Sequence, residues 1–157
     1  MTGLDPLLGT REIATPQHMH ALGEEIGGML RPGQLVVLTG ALGAGKTTLT
    51  RGIAQALGVR GPVQSPTFVI ARTHPSLTDG PPLVHVDAYR LGSGAELDDL
   101  GIDFDSSIVV AEWAAPFASA VAGEWWEIEL DRGSGPVDDD LELDADAPRR
   151  VTISRRP

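Results

Sequence analysis

The chain contains 157 residues, 41% of them hydrophobic, which is enough apolar material for one core, so we expect a single domain spanning residues 1–157. Acidic residues outnumber basic ones by 22 to 12, and the formal charge of −10 disfavours direct binding to a nucleic-acid backbone. The sequence has no cysteine, which excludes disulfides and thiolate metal sites, and no apolar run near the roughly 18 residues of a membrane span, so we expect a cytoplasmic protein without membrane contact.

The first predicted element is a helix that begins at Thr15-Pro16, a typical cap and first turn. We expect it to end near Arg31-Pro32-Gly33. Its apolar residues recur at helical spacing and form one stripe, which contains Met19, Leu22, Ile26, Met29 and Leu30. Residues 1–15 carry little pattern and are expected to be flexible, as is the acidic segment 133–148.

The next two elements frame a glycine-rich segment. Residues 35–38 form a continuous aliphatic run, which is expected for a strand covered by helices on both faces. After the glycine-rich segment, a second helix is predicted, with Gly58 placed to end it in a left-handed conformation. The apolar residues that recur at helical spacing in this helix are Leu49, Ile53, Ala56 and Leu57.

The remainder of the chain contains further candidate strands. Hydrophobic pattern predicts them at residues 68–71, 83–86, 108–111, 125–130 and 151–154. We expect the last two to be peripheral, and we expect residues 73–82, which are rich in Pro, Ser, Thr and Gly, to form a loop. Strands and helices in an aliphatic chain predict an α/β fold, in which a mostly parallel sheet is flanked by helices and carries peripheral antiparallel strands.

The strongest motif is Gly40-x-x-x-x-Gly45-Lys46-Thr47, which lies between the predicted strand and the second helix. Its glycines allow backbone N–H groups to point at phosphate oxygens. Lys46 supplies an ammonium for the β- and γ-phosphates, Thr47 a hydroxyl for Mg²⁺, and the helix directs its positive end at the anion. The motif predicts a P-loop for ATP or ADP with Mg²⁺, formed by Gly40, Ala41, Leu42, Gly43, Ala44, Gly45, Lys46, Thr47 and Thr48.

Lysine usage supports this assignment. Of the 12 basic residues, Lys46 alone is lysine and the others are arginine. The P-loop position favours a compact ammonium over a planar guanidinium, because the group must fit between two phosphates. GTP-specific P-loop proteins usually recognise guanine through an Asn-Lys-x-Asp element, and no second lysine exists to form one. ATP is therefore favoured over GTP.

Two acidic residues follow predicted strands, where a P-loop protein needs a carboxylate for Mg²⁺. Asp87 follows residues 83–86, and Glu112 follows residues 108–111. In a doubly wound sheet both would lie at the carboxyl ends of strands, where ligands bind. Local pattern leaves open which of the two serves the metal. His85 lies among apolar residues, and we interpret it as a packed core residue, not a catalytic base.

The motifs occur in an order that resembles the bacterial TsaE family, also called YjeE, the ATPase of tRNA threonylcarbamoyladenosine modification. The P-loop itself is shared by many proteins, whereas the ordered set Ser-Pro-Thr-Phe, Asp-x-Tyr-Arg-Leu and Glu-Trp is far more specific. The matching residues are 42–48 with Arg51-Gly52, Ser65-Pro66-Thr67-Phe68, His85-Val86-Asp87-Ala88-Tyr89-Arg90-Leu91, Glu96-Leu97 with Leu100-Gly101, and Glu112-Trp113.

This resemblance implies an ATPase that acts with TsaD and TsaB on adenosine 37 of ANN-decoding tRNAs, is weak alone, and meets tRNA only through that complex. It also implies that Thr67 belongs to a switch-like loop near the γ-phosphate, Asp87 to a second acidic motif, and Glu112 to the position associated with Mg²⁺. The catalytic set is then Lys46, Thr67, Asp87 and Glu112, with Thr47 and Glu112 on the metal. One departure is Met19, where the family usually has Thr.

Two other functions share the same phosphate loop. A small-molecule kinase would need a second cleft and a mobile, arginine-bearing lid, and residues 73–82 contain no arginine. A non-hydrolysing sensor would use bound ATP or ADP only to set the shape of a protein-binding surface. Product analysis separates the three functions, because an ATPase releases phosphate, a kinase transfers it, and a sensor does neither.

Overall fold

The parallel centre of the sheet consists of strands that lead directly into the predicted site. The computed structural model describes residues 4–40, 44–61, 63, 71–89, 91–131 and 148–156. The strands of this part of the chain are β1 (Gly9–Ile13), β2 (Leu35–Gly40), β3 (Ala71–His74), β4 (Leu83–Asp87), β5 (Ile108–Glu112), β6 (Trp125–Asp131) and β7 (Arg149–Arg156). They form one seven-stranded sheet in the order β1-β7-β6-β2-β5-β4-β3. The central strands β4, β5, β2 and β6 run parallel to one another, and β3, β7 and β1 are added antiparallel, so the predicted α/β class is confirmed.

Helices α1 and α2 begin and end close to the residues that the sequence predicts. Helix α1 spans Pro16–Met29, and the side chain of Thr15 caps it by accepting a hydrogen bond from the backbone N–H of His18 at 3.1 Å. Helix α2 spans Lys46–Leu57 and ends at Gly58, which has a left-handed φ of 66°. A short helix α3 spans Gly94–Asp98, and 3₁₀ turns occur at Asp5–Leu7 and Ala118–Ala120.

Both faces of the sheet are buried, which explains the continuous aliphatic run in β2. Successive side chains of a strand point to opposite faces. Val36 and Leu38 belong to the apolar cluster that includes residues of α1 and α2. Leu35 and Val37 belong to a second cluster on the opposite face, together with Leu97 of α3. The P-loop therefore emerges from a strand that is held rigidly on both sides.

The N-terminal segment contains regular structure where little pattern was expected, and the 73–82 loop begins two residues later than predicted. Residues 4–13 are ordered, because Leu4 and Leu7 are buried in the core and β1 pairs antiparallel with β7. Strand β3 continues to His74, two residues into the predicted loop, because it pairs with β4. The predicted strand residues 68–70 lie outside the described residues, as does the segment 132–147. Helix α3, which was not predicted, is too short for hydrophobic periodicity to reveal it.

Strand β6 lies inside the sheet, and its predicted peripheral position is wrong. It pairs parallel with β2, where Val36 is opposite Trp126, and antiparallel with β7. Trp126 is fully buried in the main core cluster. The alternating acids Glu127 and Glu129 made the segment resemble an edge strand, but Glu127 is paired with Arg156 at 2.6 Å. Sequence pattern alone does not encode strand order.

Helices α1 and α2 cross at a pair of glycines, which brings their backbones into direct contact. A Cβ atom placed on Gly52 would lie 2.2 Å from the carbonyl oxygen of His20, and one on Gly23 would lie 2.2 Å from that of Leu49. No side chain fits between the two backbones at this point. The crossing therefore fixes the position of α2, whose first turn follows the P-loop.

We expect Gly52→Ala to lower the free energy of unfolding by at least about 1–3 kcal/mol, the usual cost of overpacking, because the new methyl group meets backbone. Gly28→Ala is the matched control, since Gly28 lies on α1 and its Cβ position has no atom within 4 Å. This control should be as stable as the wild type or more stable by about 0.5–1 kcal/mol. Urea denaturation measures both, and a Gly52→Ala protein of unchanged stability would contradict the close crossing.

Candidate phosphate-binding site

Two glycines of the P-loop, Gly40 and Gly45, are required for different structural reasons. Gly45 precedes α2 with a φ of 108°, a left-handed conformation that side chains rarely adopt. Gly40 ends β2, and a Cβ atom there would lie 2.7 Å from the carbonyl oxygen of Leu130. Ala44 is fully buried, and residues 41–43 lie outside the described residues. The two glycines thus permit the turn and the close approach to β6.

Lys46 is the first residue of α2, and its ammonium is held at the mouth of the loop. The side chain is only 7% exposed. Its Nζ donates a hydrogen bond to the carbonyl oxygen of Gly40 at 2.6 Å and lies 3.7 Å from Oε1 of Glu112. Nζ also lies 4.3 Å from the centroid of the Trp113 ring, within the range of a cation–π contact. A buried cation with these partners is well placed to meet an anion that enters the loop.

Glu112 is a buried carboxylate with a different partner on each oxygen. It ends β5 and is 5% exposed. Its Oε1 faces Lys46, and its Oε2 lies 2.7 Å from Nε2 of His85. Burial of a carboxylate is costly unless its oxygens have partners, and here Oε2 is hydrogen-bonded while Oε1 lies within ion-pair distance of the Lys46 ammonium. The sequence-predicted residues Lys46 and Glu112 are therefore brought together.

His85 is fully buried on β4, which confirms its interpretation as a core residue. Sequence analysis nevertheless missed its contact with Glu112. The contact could have been predicted from the pairing of β4 with β5, in which Asp87 is the register partner of Glu112. Since residues two apart share a face of a strand, His85 and Asp87 lie on the face to which Glu112 also points.

Asp87 ends β4 beside Glu112. Its Oδ1 accepts a hydrogen bond from the backbone N–H of Tyr89 at 3.0 Å, which holds the turn after the strand. The backbone N–H of Ala88 donates to the carbonyl oxygen of Glu112 at 2.8 Å. The expectation that both acids lie together at the carboxyl ends of neighbouring strands is confirmed.

Trp113, which contacts Lys46, and Tyr89, which contacts Trp113, had no role beyond their place in the family motifs. Trp113 has a φ of 61°, an uncommon conformation for a residue with a side chain, and is 40% exposed. Its ring meets that of Tyr89 edge to face, with centroids 5.4 Å apart. Trp113 belongs to the Glu-Trp motif. No sequence rule predicts its left-handed backbone conformation or its contact with Lys46.

The remaining sequence-predicted residues lie on α2 or outside the described residues. Thr47 and Thr48 occupy the first turn of α2 and are half-buried, at the helix end where backbone N–H groups lack intrahelical partners. Thr67 and Arg90 lie outside the described residues, so their predicted positions are not tested. Met19 of α1 packs against the loop, with its methyl group 3.1 Å from the Cβ position of Gly45.

The described residues fit a Mg-nucleotide better than a metal bound by protein alone. Among the parts of the chain that the structure describes, no group of three or more His, Asp or Glu side chains forms a metal cage. Mg²⁺ in nucleotide sites is usually held by one or two protein oxygens together with phosphates and waters. Thr47, Glu112 and Asp87 offer oxygens of this kind beside the P-loop.

Known proteins resemble this chain in sequence and in fold. The family model described as "Threonylcarbamoyl adenosine biosynthesis protein TsaE" matches residues 13–137. A Streptomyces coelicolor protein named "tRNA threonylcarbamoyladenosine biosynthesis protein TsaE" is 52% identical over 139 residues, covering 87% of this chain and 89% of the relative. An Aquifex aeolicus protein of the same name is 32% identical over 148 residues, covering 92% and 94%. The crystal structure of Bacillus subtilis YdiB aligns with a TM-score of 0.67 at 28% identity, covering 92% of this chain and 82% of YdiB.

In the described part of the chain, no helix has both the length and the apolar character needed to cross a membrane.

Proposed function

Because this chain belongs to the TsaE family, we propose that it binds and hydrolyses Mg-ATP in support of threonylcarbamoyl modification of adenosine 37 in ANN-decoding tRNAs. It acts with TsaD and TsaB, and it meets tRNA only through that complex. The formal charge of −10 supports an indirect role, because an acidic protein repels a phosphate backbone. A tRNA-modifying role would put the protein in the cytoplasm.

The contact between Lys46 and Glu112 carries the proposal. A buried ammonium requires carbonyl or anionic partners, and Gly40 and Glu112 provide them. When the triphosphate enters the loop, the β- and γ-phosphate oxygens become the stronger anionic partners of Nζ. Backbone N–H groups at the start of α2 add to the positive field at the same place. We therefore expect Lys46 to exchange its present partners, at least in part, for phosphate oxygens.

Thr47 and Glu112 are the proposed Mg²⁺ ligands, and Asp87 is proposed to orient the attacking water. Bound Mg²⁺ would neutralise part of the phosphate charge during transfer. Oε1 of Glu112 is the oxygen nearer Lys46 and the loop, whereas Oε2 is occupied by His85. Asp87 is less buried than Glu112 and lies beside it in register, so its carboxylate is more accessible to water.

The proposal of hydrolysis is tested by steady-state phosphate release from Mg-ATP with purified TsaD and TsaB present. We expect phosphate and ADP to appear in equal amounts. A chain that binds ATP but releases no phosphate with both partners present would be a sensor, and the proposal of hydrolysis would be wrong.

The metal assignment predicts different effects for the two acids. We expect Glu112→Gln to weaken the apparent Mg²⁺ affinity by at least roughly 10- to 100-fold, the loss typical even of groups that only support a metal ligand. Asp87→Asn should lower turnover with a smaller change in Mg²⁺ affinity. Mg²⁺ titration of turnover and of nucleotide binding measures both variants. A large loss of Mg²⁺ affinity in Asp87→Asn, with none in Glu112→Gln, would reverse the assignment.

A further inference from the structure

His85 is a polar residue at a position where packing alone would favour an aliphatic one. It lies in the middle of β4, between Val84 and Val86, and its side chain is fully buried. Burying a polar ring costs free energy unless its nitrogens are hydrogen-bonded. Nε2 is bonded to Glu112 at 2.7 Å, and Nδ1 has no hydrogen-bond partner among the described residues. The stabilisation of His85 by hydrogen bonding therefore depends on Glu112.

The contact also determines how Glu112 is oriented. The terminal torsion of a glutamate is soft, so a carboxylate with one partner can rotate. His85 holds Oε2 by a hydrogen bond at 2.7 Å, and the Lys46 ammonium lies 3.7 Å from Oε1, so both contacts favour one orientation of the carboxylate. Since an ionised carboxylate only accepts hydrogen bonds, Nε2 of His85 must be the donor.

Binding of a phosphate affects the two contacts differently. Lys46 is the proposed ligand of the β- and γ-phosphates, so its contact with Oε1 weakens when nucleotide binds. His85 is fully buried, so we expect its contact with Oε2 to persist when nucleotide binds. The hydrogen bond from His85 then remains as the constraint that keeps Oε1 directed towards the mouth of the loop.

We propose that His85 is a positioning residue: its Nε2–H holds Oε2 of Glu112 and thereby presents Oε1 to the metal side of the site. This inference rests on the proposed function, because it takes Glu112 as a Mg²⁺ ligand. It assigns to a core histidine a role that neither its burial nor its neighbours in sequence indicate.

His74 provides a comparison within the same chain. It is a second buried histidine, on β3, and its Nδ1 lies 2.8 Å from the carbonyl oxygen of Arg60. That contact joins a strand to a loop and involves no carboxylate. His74 thus represents a histidine whose hydrogen bond involves no residue of the site, and His74→Gln, whose amide nitrogen lies one bond farther from Cβ than Nδ1, serves as the matched control.

The test uses two amide substitutions that differ in reach. In His85→Gln, the amide nitrogen lies the same number of bonds beyond Cβ as Nε2 of histidine, so it can donate to Glu112. In His85→Asn the amide is too short to do so. We expect His85→Asn to reduce the Mg²⁺-dependent increase in ADP affinity by roughly 10- to 100-fold, with the affinity measured in EDTA nearly unchanged. His85→Gln should restore most of the increase.

Two controls distinguish positioning from stability. His74→Gln should lower the melting temperature, because its amide reaches past the position of Nδ1, while leaving the Mg²⁺-dependent increase unchanged. In a Glu112→Gln background, His85→Asn should have little further effect on that increase, because the group it positions has been altered. Equal losses in His85→Gln and His85→Asn, or additive losses with Glu112→Gln, would overturn the proposal.

A spectroscopic measurement is independent of nucleotide chemistry. Long-range ¹H–¹⁵N spectra of the histidine rings should show His85 with its proton on Nε2, and Glu112→Gln should shift that signal while leaving His74 unmoved. A His85 signal that does not respond to Glu112→Gln would overturn the positioning role. If the signal and the Mg²⁺-dependent affinity behave as expected but no ATP is hydrolysed, the proposed hydrolysis is wrong and the role of His85 stands.

Discussion

Replacing Lys46 by alanine is expected to lower kcat/KM for ATP by roughly 10²- to 10³-fold, the usual effect of removing one donor that stabilises charge in a transition state. The variant loses the ammonium that meets the β- and γ-phosphates, and the chain has no second lysine. Phosphate release and nucleotide titration measure the effect. The fold should persist, because Glu112 keeps its contact with His85.

Lys46→Arg is the matched control for charge. It keeps a cation at the first position of α2 but replaces a compact ammonium with a larger planar group. We expect it to recover little of the activity, since Nζ is enclosed by Gly40, Glu112 and Trp113. Thermal unfolding of both variants verifies that they remain folded. If the folded Lys46→Ala variant has unchanged nucleotide affinity and unchanged turnover, the P-loop assignment is wrong.

Adding TsaD and TsaB is expected to accelerate ATP hydrolysis by up to roughly 10³- to 10⁵-fold, the range for an arginine supplied in trans. Phosphoryl transfer needs positive charge beyond that of Lys46. Arg51, one turn into α2, is bonded instead to the carbonyl oxygen of Val63 at 3.0 Å, and Arg72 lies exposed on the edge strand β3. Among the described residues, neither of these arginines is placed to supply the charge, so we expect a partner to supply it or to complete the site around Thr67.

Thr67→Ala should lose most of this acceleration, because the family resemblance assigns Thr67 to the switch-like loop near the γ-phosphate. Thr73→Ala is the matched control: Thr73 is an exposed threonine on β3 and should retain the full acceleration. Steady-state phosphate release with and without both partners gives the comparison. Turnover of the lone chain at about 1 to 100 per second, unaffected by the partners, would contradict an assembly-dependent mechanism.

Features that depend on neighbouring residues were predicted well from the sequence. The Thr15 cap, the Gly58 end of α2 and the order of strand, glycine loop and helix all follow from local preferences. Strand β1 was missed because most of its side chains are exposed and its pairing partner, β7, lies at the other end of the chain. Local pattern contains no information about such a distant partner.

The contacts of the candidate site likewise fall into those that local sequence pattern predicts and those that it does not. Lys46, Asp87 and Glu112 were found because each follows or begins an element at a recognisable position. The hydrogen bond from His85 to Glu112 depends on the register of β4 against β5, which residue pattern does not determine. The contact of Trp113 with Lys46 accompanies a left-handed backbone that is rare for tryptophan.

The central claim is that this chain is an ATPase whose phosphate loop contains Lys46. Product analysis of ATP labelled at the γ-phosphate, with TsaD, TsaB and Mg²⁺ present, tests it most directly. We predict that the label appears as inorganic phosphate in amounts equal to ADP, and that Lys46→Ala abolishes most of this release. Label transferred to another molecule, or ATP left intact in the complete mixture, would contradict the claim.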